Sequence, residues 1–413
     1  MIWLYNAFIR LYVLGIRIAS RRNQKAREWV SGRKNLFEEL SSKITQSDRT
    51  IWFHCASAGE LEQGKPLIEE CKKEYPAHKI VISFFSPSGL AAAKKYQHAD
   101  VVTYLPADSP ENAKRFVELV HPELVVFVKY EYWYHHLAAV AFRHIPLLLI
   151  SAIFREEQVF FKWYGSFYRQ LLFLFRQIFV QDEASLQLLK KHNINHCSIS
   201  GDTRFDRVKK IAGNFSPLQE IVNFKGRDAL IVAGSTWPDD ERFLEKYIYT
   251  TEAKLVIVPH EISESHIRQV KNLFSDSILF SEYSKSPQKG KRVLIIDNFG
   301  MLSKLYHYAD ITYIGGGFNK SGIHNTLEAA VYGKPVIFGP HYQKFKEARE
   351  LVSAGGAFSF SSAAGLEVQM DHLLYNSEKL QRAGSASKEY VEKNTGATAE
   401  VLHYIQANRL LTR

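Results

Sequence analysis

At 413 residues the chain is too long for one hydrophobic core of ordinary size and suits two domains. Its 46% apolar and 23% charged residues make it globular and exclude intrinsic disorder. The net charge of +10 calls for an anionic partner: no zinc-finger, RNA-binding or helix-turn-helix signature points to nucleic acid, and charge alone does not choose between a membrane surface and a phosphorylated substrate.

In chain order, Ile2 to Ala19 come first, almost wholly apolar and aromatic but interrupted by Asn6, Arg10 and Arg17. Arginine at bilayer depth costs roughly 2.5–3.5 kcal/mol, which makes this a poor spanning helix. It is also a poor secretory signal, because the positive charge follows the apolar run. The collar Arg21, Arg22, Lys25, Arg27, Arg33 and Lys34 suits a helix lying in the membrane interface. The alternative is a terminal helix docked on its own domain. Residues 1–34 are therefore set apart as an amphipathic, membrane-anchoring segment.

From residue 50 short apolar runs alternate with helical stretches. Ile51–Cys55, Ile80–Phe84, Val101–Tyr104, Leu124–Val128 and Leu147–Ile150 read as buried strands, and Ile178–Gln181 as a shorter one. Periodic segments between them read as crossover helices, and Phe160–Phe175 as one long aromatic, basic helix. Cys55, Cys71 and Cys197 have no metal-ligand spacing and read as reduced packing residues of a reducing compartment. A mixed stretch, Arg207 to Asp228, places a domain boundary after Asp206. The alternation restarts with Leu230–Ala233, Leu255–Val258, Val293–Ile296, Ile311–Ile314 and Pro335–Phe338, and helices close the chain from about Ala363 to Leu411. The expected fold is α/β: two Rossmann-like lobes, 35–206 and 207–413, facing across a cleft. Ligands in such sheets bind beyond the carboxyl ends of the strands.

One segment carries most of the chemistry. The strand ending at Ile314 runs into Gly315, Gly316 and Gly317, which permit close backbone approach. A helix is expected to begin near Asn325, a good N-cap, with free amides suited to a phosphate or carboxylate. Glu328 shares a face with Asn325 and is placed to accept hydrogen bonds from the vicinal hydroxyls of a ribose. Gly-Lys-Pro follows, then a strand ending at Gly339-Pro340-His341. This spacing points to a nucleotide-sugar site. No Asp-x-Asp pair calls for a metal-bridged nucleotide, so neither metal nor cofactor is expected.

The segment resembles the donor site of the Kdo (3-deoxy-D-manno-octulosonic acid) transferases, whose fold is the two-lobed GT-B type and whose pattern runs Gly-Gly, Gly-x-His-Asn, Leu-Glu. Further matches follow in order: His54-Cys-Ala-Ser-Ala-Gly-Glu60, Ser86-Pro-Ser-Gly89, Glu131-x-Trp133, Gly201-Asp-Thr-Arg-Phe-Asp206, Ala233-Gly-Ser-Thr236 and Val258-Pro-His260. The resemblance implies that Glu60 is the general base and Arg204 supports the leaving phosphate, with Glu131 beside them. It implies donor contacts from Ser235, Thr236, Pro259, His260, Phe299, Gly300, Met301, Gly316, Gly317, His324, Asn325 and Glu328. It further implies inverting transfer of Kdo from CMP-Kdo to the glucosamine disaccharide of a lipid A precursor, at the cytoplasmic face of the bacterial inner membrane. Two alternatives stay open: another GT-B transferase using a UDP-sugar and a lipid-linked acceptor, and a basic interfacial protein that binds anionic lipid or nucleic acid without catalysis, against which Glu60 and Glu328 argue. Two positions depart from the family pattern: Lys129 stands where it has the first Glu of Glu-x-Glu-x-Trp-Pro, and Pro259-His260-Glu261 where it has Pro-Arg-His.

Overall fold

The apolar runs become two parallel sheets in a computed structural model, which describes residues 1–288 and 290–412. The chain divides into two units, Met1–Arg207 with Thr395–Arg413, and Val208–Asn394. In the first, β1 (Arg49–Cys55), β2 (His78–Phe84), β3 (Val101–Tyr104), β4 (Pro122–Val128), β5 (Leu147–Ala152), β6 (Gln177–Val180) and β7 (Cys197–Ile199) lie in the order β3-β2-β1-β4-β5-β6-β7. In the second, β8 (Leu230–Thr236), β9 (Lys254–Pro259), β10 (Ser277–Leu279), β11 (Val293–Ile295), β12 (Ile311–Ile314), β13 (Val336–Phe338) and β14 (Ala357–Ser359) lie in the order β10-β11-β9-β8-β12-β13-β14.

Every paired register is parallel, for example Phe53 beside Ile82 on one side and Val126 on the other. Strands covered by helices on both faces carry apolar residues without alternation, which is why Ile51, Trp52 and Phe53 are all buried. In each sheet the first strand is central, and later strands are laid down on either side of it. The order therefore reverses between β1 and β4, and again between β8 and β12. At such a reversal the loops leaving two neighbouring strands splay apart, opening a crevice beyond their carboxyl ends.

Three strands escape the sequence pattern: β7, β10 and β14 each have three residues and end a sheet. An edge strand buries too little to show an apolar run. The helix expected over Phe160–Phe175 is broken into a 3₁₀ turn, Val159–Phe161, and a helix, Ser166–Leu172. Gly165 causes the break by packing on the backbone of residue 159, so closely that a Cβ there would lie 1.6 Å from the Val159 carbonyl oxygen.

The two chain ends also differ from the sequence reading. Residues 395–413, read with the second lobe, belong to the first unit. Val401, Ile405, Leu410 and Leu411, on and after the helix Ala397–Ala407, join a core with Leu61, Ile68 and Phe179. Asp206 fixes the start of that helix, accepting from the amides of Gly396 at 2.6 Å and Thr398 at 2.7 Å. The amino-terminal helix Ile2–Ala19 belongs to the same unit and buries Tyr5 and Ile9. Arg33, read as part of an exposed basic collar, is instead enclosed by aromatic rings. Its guanidinium lies 3.8 Å from the Trp29 ring centroid and 4.5 Å from that of Tyr104, and donates to the carbonyls of Leu105 and Phe85, each at 2.8 Å. Burial pulls its pKa down to about 9.

Candidate functional site

The site residues read from the sequence follow strand ends: Glu60 and Glu131 at the first reversal, Ser235, Thr236, Gly316 and Gly317 at the second, and Arg204, His260 and the loop of Phe299, Gly300 and Met301 beyond β7, β9 and β11. In the first unit β1 runs into Ser57, the N-cap of the helix Ala58–Glu74. Ser57 accepts from the Gly59 amide at 3.2 Å and donates to the Glu60 carboxylate. Glu60 therefore lies in the first helical turn, its headgroup held by the capping serine and favoured there by the helix dipole.

Glu131 follows β4, across the reversal from Glu60. His54 Nε2 donates to its carboxylate at 2.5 Å and the Trp133 indole donates at 3.1 Å. His54 is buried in β1 and is fixed on its other side by the Ser83 hydroxyl, 2.8 Å from Nδ1; Ser83 also accepts from the Trp52 indole at 2.7 Å. A chain of side chains thus sets the carboxylate of Glu131, and the sequence motifs alone assign no role to His54 or Ser83. A signal for His54 is present: a lone imidazole in an apolar strand, immediately before Cys-Ala-Ser-Ala-Gly-Glu.

Arg204 lies beyond β7 in the helix Thr203–Gly213 and is anchored by Asp202. The Asp202 carboxylate accepts from Arg204 Nε at 2.8 Å and from the Arg204 amide at 2.9 Å, while Gln63 Nε2 donates to it at 3.1 Å. Burial pushes the Asp202 carboxyl up, but the Arg204 guanidinium and these hydrogen bonds outweigh it and leave it below its ordinary value. Gln63 stands one turn after Glu60, so one helix carries Glu60 and steadies the partner of Arg204. Tyr130 joins them: burial raises its pKa, Glu60 and Asp202 raise it further, and Arg155 and Arg204 oppose them. Lys129, which stands where the resembled pattern has a glutamate, adopts a left-handed backbone (φ 73°), with its ammonium 4.9 Å from the Tyr130 ring centroid.

In the second unit Ser235 and Thr236 close β8 across a register shift, with Ser235 left-handed at φ 54°. The glycines after β12 fit against this bend. A Cβ on Gly315 would lie 2.2 Å from the Ser235 carbonyl oxygen, and one on Gly317 would lie 2.5 Å from Gly339 Cα. Gly316 is left-handed, and its amide donates to the buried Asp240 at 2.9 Å. Asp240 also accepts from Tyr313 Oη at 2.7 Å and the Trp237 amide at 2.9 Å, so one carboxylate joins the ends of β8 and β12. Its neighbour Glu241 accepts from Thr236 Oγ1 at 3.1 Å.

Pro259 ends β9, and the His260 amide donates to the Thr236 carbonyl at 2.9 Å. Trp237, His260 and His324 stack in that order, with centroids 4.7 and 4.4 Å apart. The Trp237 indole donates to His324 Nε2 at 3.2 Å; because an indole only donates, that nitrogen carries no proton. Burial, then the neighbouring His260, push the His324 pKa down to about 4. Asn325 Nδ2 donates to Glu328 Oε1 at 3.1 Å. Phe299, Gly300 and Met301 form the loop after β11, where Phe299 is exposed and Gly300 left-handed.

One expectation is corrected. The helix after Asn325 is a single turn, Leu327–Ala330, whose N-cap is Thr326. Gly333 in the left-handed region and the Pro335 that leads into β13 end it. One turn sums few peptide dipoles, so it is not the anion site that a longer helix provides. Asn325 contributes through its side chain instead, accepting from the Leu327 amide at 3.1 Å.

Two Rossmann-like parallel-sheet units in one chain define a GT-B fold, and solved structures agree. UDP-GlcNAc 2-epimerase from Neisseria meningitidis, bound to UDP-GlcNAc, is similar with a TM-score of 0.62 at 16% identity, covering 87% of this chain and 100% of that one. MurG from Acinetobacter baumannii is similar with a TM-score of 0.54 at 13% identity, covering 87% and 99%. At these identities the likeness is one of fold alone. Residues 30–207 match the family model of the 3-deoxy-D-manno-octulosonic-acid transferases. The chain is similar in sequence to these transferases, and that likeness supports a glycosyltransferase. A 3-deoxy-D-manno-octulosonic acid transferase of Haemophilus influenzae is 27% identical over 414 residues, covering 95% of this chain and 94% of its own. One from Aquifex aeolicus is 27% identical over 350 residues, covering 83% and 90%.

Proposed function

We propose that the protein transfers Kdo from CMP-Kdo to a glucosamine hydroxyl of a lipid A precursor, with inversion at the anomeric carbon. The observation that carries this reading is the pair of carboxylates at the first reversal, Glu60 held by Ser57 and Glu131 held by His54 and Trp133. Glu60 is the general base: the Ser57 hydroxyl occupies one carboxylate oxygen and leaves the other for the proton of the attacking hydroxyl. The bond to the anomeric carbon forms as that proton moves to Glu60 and the bond to the CMP oxygen breaks. Developing oxocarbenium character is offset by nearby carboxylate, and here Glu131 supplies it. Arg204, whose geometry Asp202 fixes, supports the departing phosphate, and Ser235 and Thr236 are donor contacts of the second unit. Pro259, His260, Phe299, Gly300 and Met301 hold the cytidine, Gly316, Gly317 and His324 the sugar-phosphate, and Asn325 with Glu328 the ribose. His324 is neutral at physiological pH, so it acts there by hydrogen bonding and stacking.

The helix Ile2–Ala19 has a mean hydropathy of 1.3 and only 11% of its residues buried, so by length and composition it is able to cross a membrane. Trp3, Phe8 and Leu11 each expose more than 60% of their surface. With Arg10 and Arg17 within the run, an interfacial position on the cytoplasmic face of the bacterial inner membrane is the reading adopted.

The test is transfer of radiolabelled Kdo, from CMP-Kdo made in situ, to a tetra-acylated lipid A bisphosphate, with Glu60→Gln run in parallel. Transfer by the wild type that collapses in the variant, while CMP still binds, supports the reading. Activity from a UDP-sugar in place of CMP-Kdo overturns the donor and leaves the fold.

A further inference from the structure

The first unit holds a cavity of about 450 Å³ beside the proposed transfer site. Tyr5, Phe8 and Ile9 of the amino-terminal helix form one wall; Val159, Phe160 and Tyr168, between β5 and β6, form the other. Its polar end is Glu131, whose carboxylate His54 and Trp133 already engage. The lining also includes Tyr130, Tyr132, Trp133 and Gln158, but the Tyr5 hydroxyl donates to Asp108, the Tyr132 hydroxyl to the Lys129 carbonyl and the Trp133 indole to Glu131, so fewer donors are left for a sugar or phosphate than the residue types suggest. Methylene groups need only apolar surface that leaves water when they enter.

Both walls continue onto apolar surface. Phe8 lines the cavity yet is 61% exposed, on the helix that also exposes Trp3, Leu4 and Leu11. On the facing wall, the chain runs from Phe160 through Phe161 and Lys162 into Trp163, 92% exposed, and Tyr164, 53% exposed. Tryptophan and tyrosine at such a position favour the headgroup level of a bilayer. The two walls are tied together near their base, where the Phe167 ring lies 5.9 Å from that of Tyr5. The amino-terminal helix is docked, not loose: Tyr5 Oη donates to the buried Asp108 at 2.6 Å, and the Asn6 amide oxygen lies 2.6 Å from His135 Nε2.

We infer that this cavity receives one acyl chain of the acceptor, entering from the bilayer beside Phe8 and seating the sugar headgroup next to Glu131. The inference rests on the reading that the acceptor is an acylated lipid. Bilayer contact then does more than concentrate the enzyme: the chain fixes where the nucleophilic hydroxyl stands.

The test uses the full-length protein and a series of alkyl glucosides of increasing chain length, titrated calorimetrically below their micelle concentrations. Wild-type affinity is expected to rise about fourfold with each added methylene until the cavity is full, then level off. Val159→Trp fills the cavity from one wall and is expected to level off at a shorter chain, weakening the longest ligands at least about tenfold. Ile9→Trp does so from the other wall, and serves if thermal melting shows the first variant misfolded. An absence of chain-length-dependent binding in the wild type overturns the proposal. So does a dependence that neither substitution changes, which would be the exposed helix surface acting alone. No sugar donor is present, so failure of CMP-Kdo as donor and failure of the acyl cavity are read in separate experiments.

Discussion

At the scale of single residues the molecule separates groups that act from groups that hold them. Glu60→Gln keeps the shape and the bond to Ser57 but removes the basic oxygen, and a fall in kcat of about 10²–10⁴ is expected. His54→Phe leaves Glu131 in place but takes away a donor 2.5 Å from it, so kcat should fall while CMP affinity, measured by calorimetry, holds. Asp202→Asn tests the anchoring of Arg204: the buried partner of a charged group is lost, at a cost of about 3 kcal/mol by denaturant titration. His324 gives a pH prediction. Its pKa is about 4 in the folded protein against 6.5 unfolded, so the folded state binds fewer protons between those values and stability falls on acidification through that window. With solvent still reaching the ring, the effect is about 1–2 kcal/mol. It should vanish in His324→Phe when unfolding midpoints are compared at the two ends of the window.

At the scale of elements, the determining feature is the close approach of loops at the second reversal. Gly317→Ala places a methyl 2.5 Å from the Gly339 backbone, where no side chain is free to rotate away. A destabilisation of about 3 kcal/mol is expected, together with loss of nucleotide binding, because the β12 and β13 loops must separate. Asp240→Ala strands the Tyr313 hydroxyl and the Gly316 and Trp237 amides. It should cost about 3 kcal/mol or more in thermal or denaturant unfolding. Asp240 touches no substrate in the proposed scheme; it sets the shape of the loops that do.

At the scale of the whole molecule, the chain's last residues complete the unit with which it begins. Removing residues 395–413 takes Val401, Ile405, Leu410 and Leu411 out of the core beneath β1 and β2. Hydrogen exchange should then speed up in those strands and leave β8 and β9 protected; equal loss in both sheets would contradict the division. The amino-terminal helix is also part of that unit, through Tyr5 and Ile9, while its outward face stays apolar. Replacing Trp3, Phe8 and Leu11 with serine should abolish flotation with anionic vesicles and leave thermal stability nearly unchanged, since none of the three is buried.

The amino-acid sequence by itself determined the α/β class, all but the three short edge strands, and the placing of Glu60, Glu131 and the Gly315–Gly317 turn after strand ends. Those signals are local, because a buried parallel strand needs a continuous apolar run and a tight turn needs glycine. Tertiary structure decided what depends on partners far apart in the chain. The three-residue edge strands exist only because a neighbour pairs with them. Arg33 left the surface because aromatic rings from three segments surround it. The helix after Asn325 stopped at one turn because the Gly333 bend and β13 leave it no room. Asp240 and His54 acquired their positions from strands far away in the chain, and a carboxylate or an imidazole in a sequence does not say which donors will converge on it.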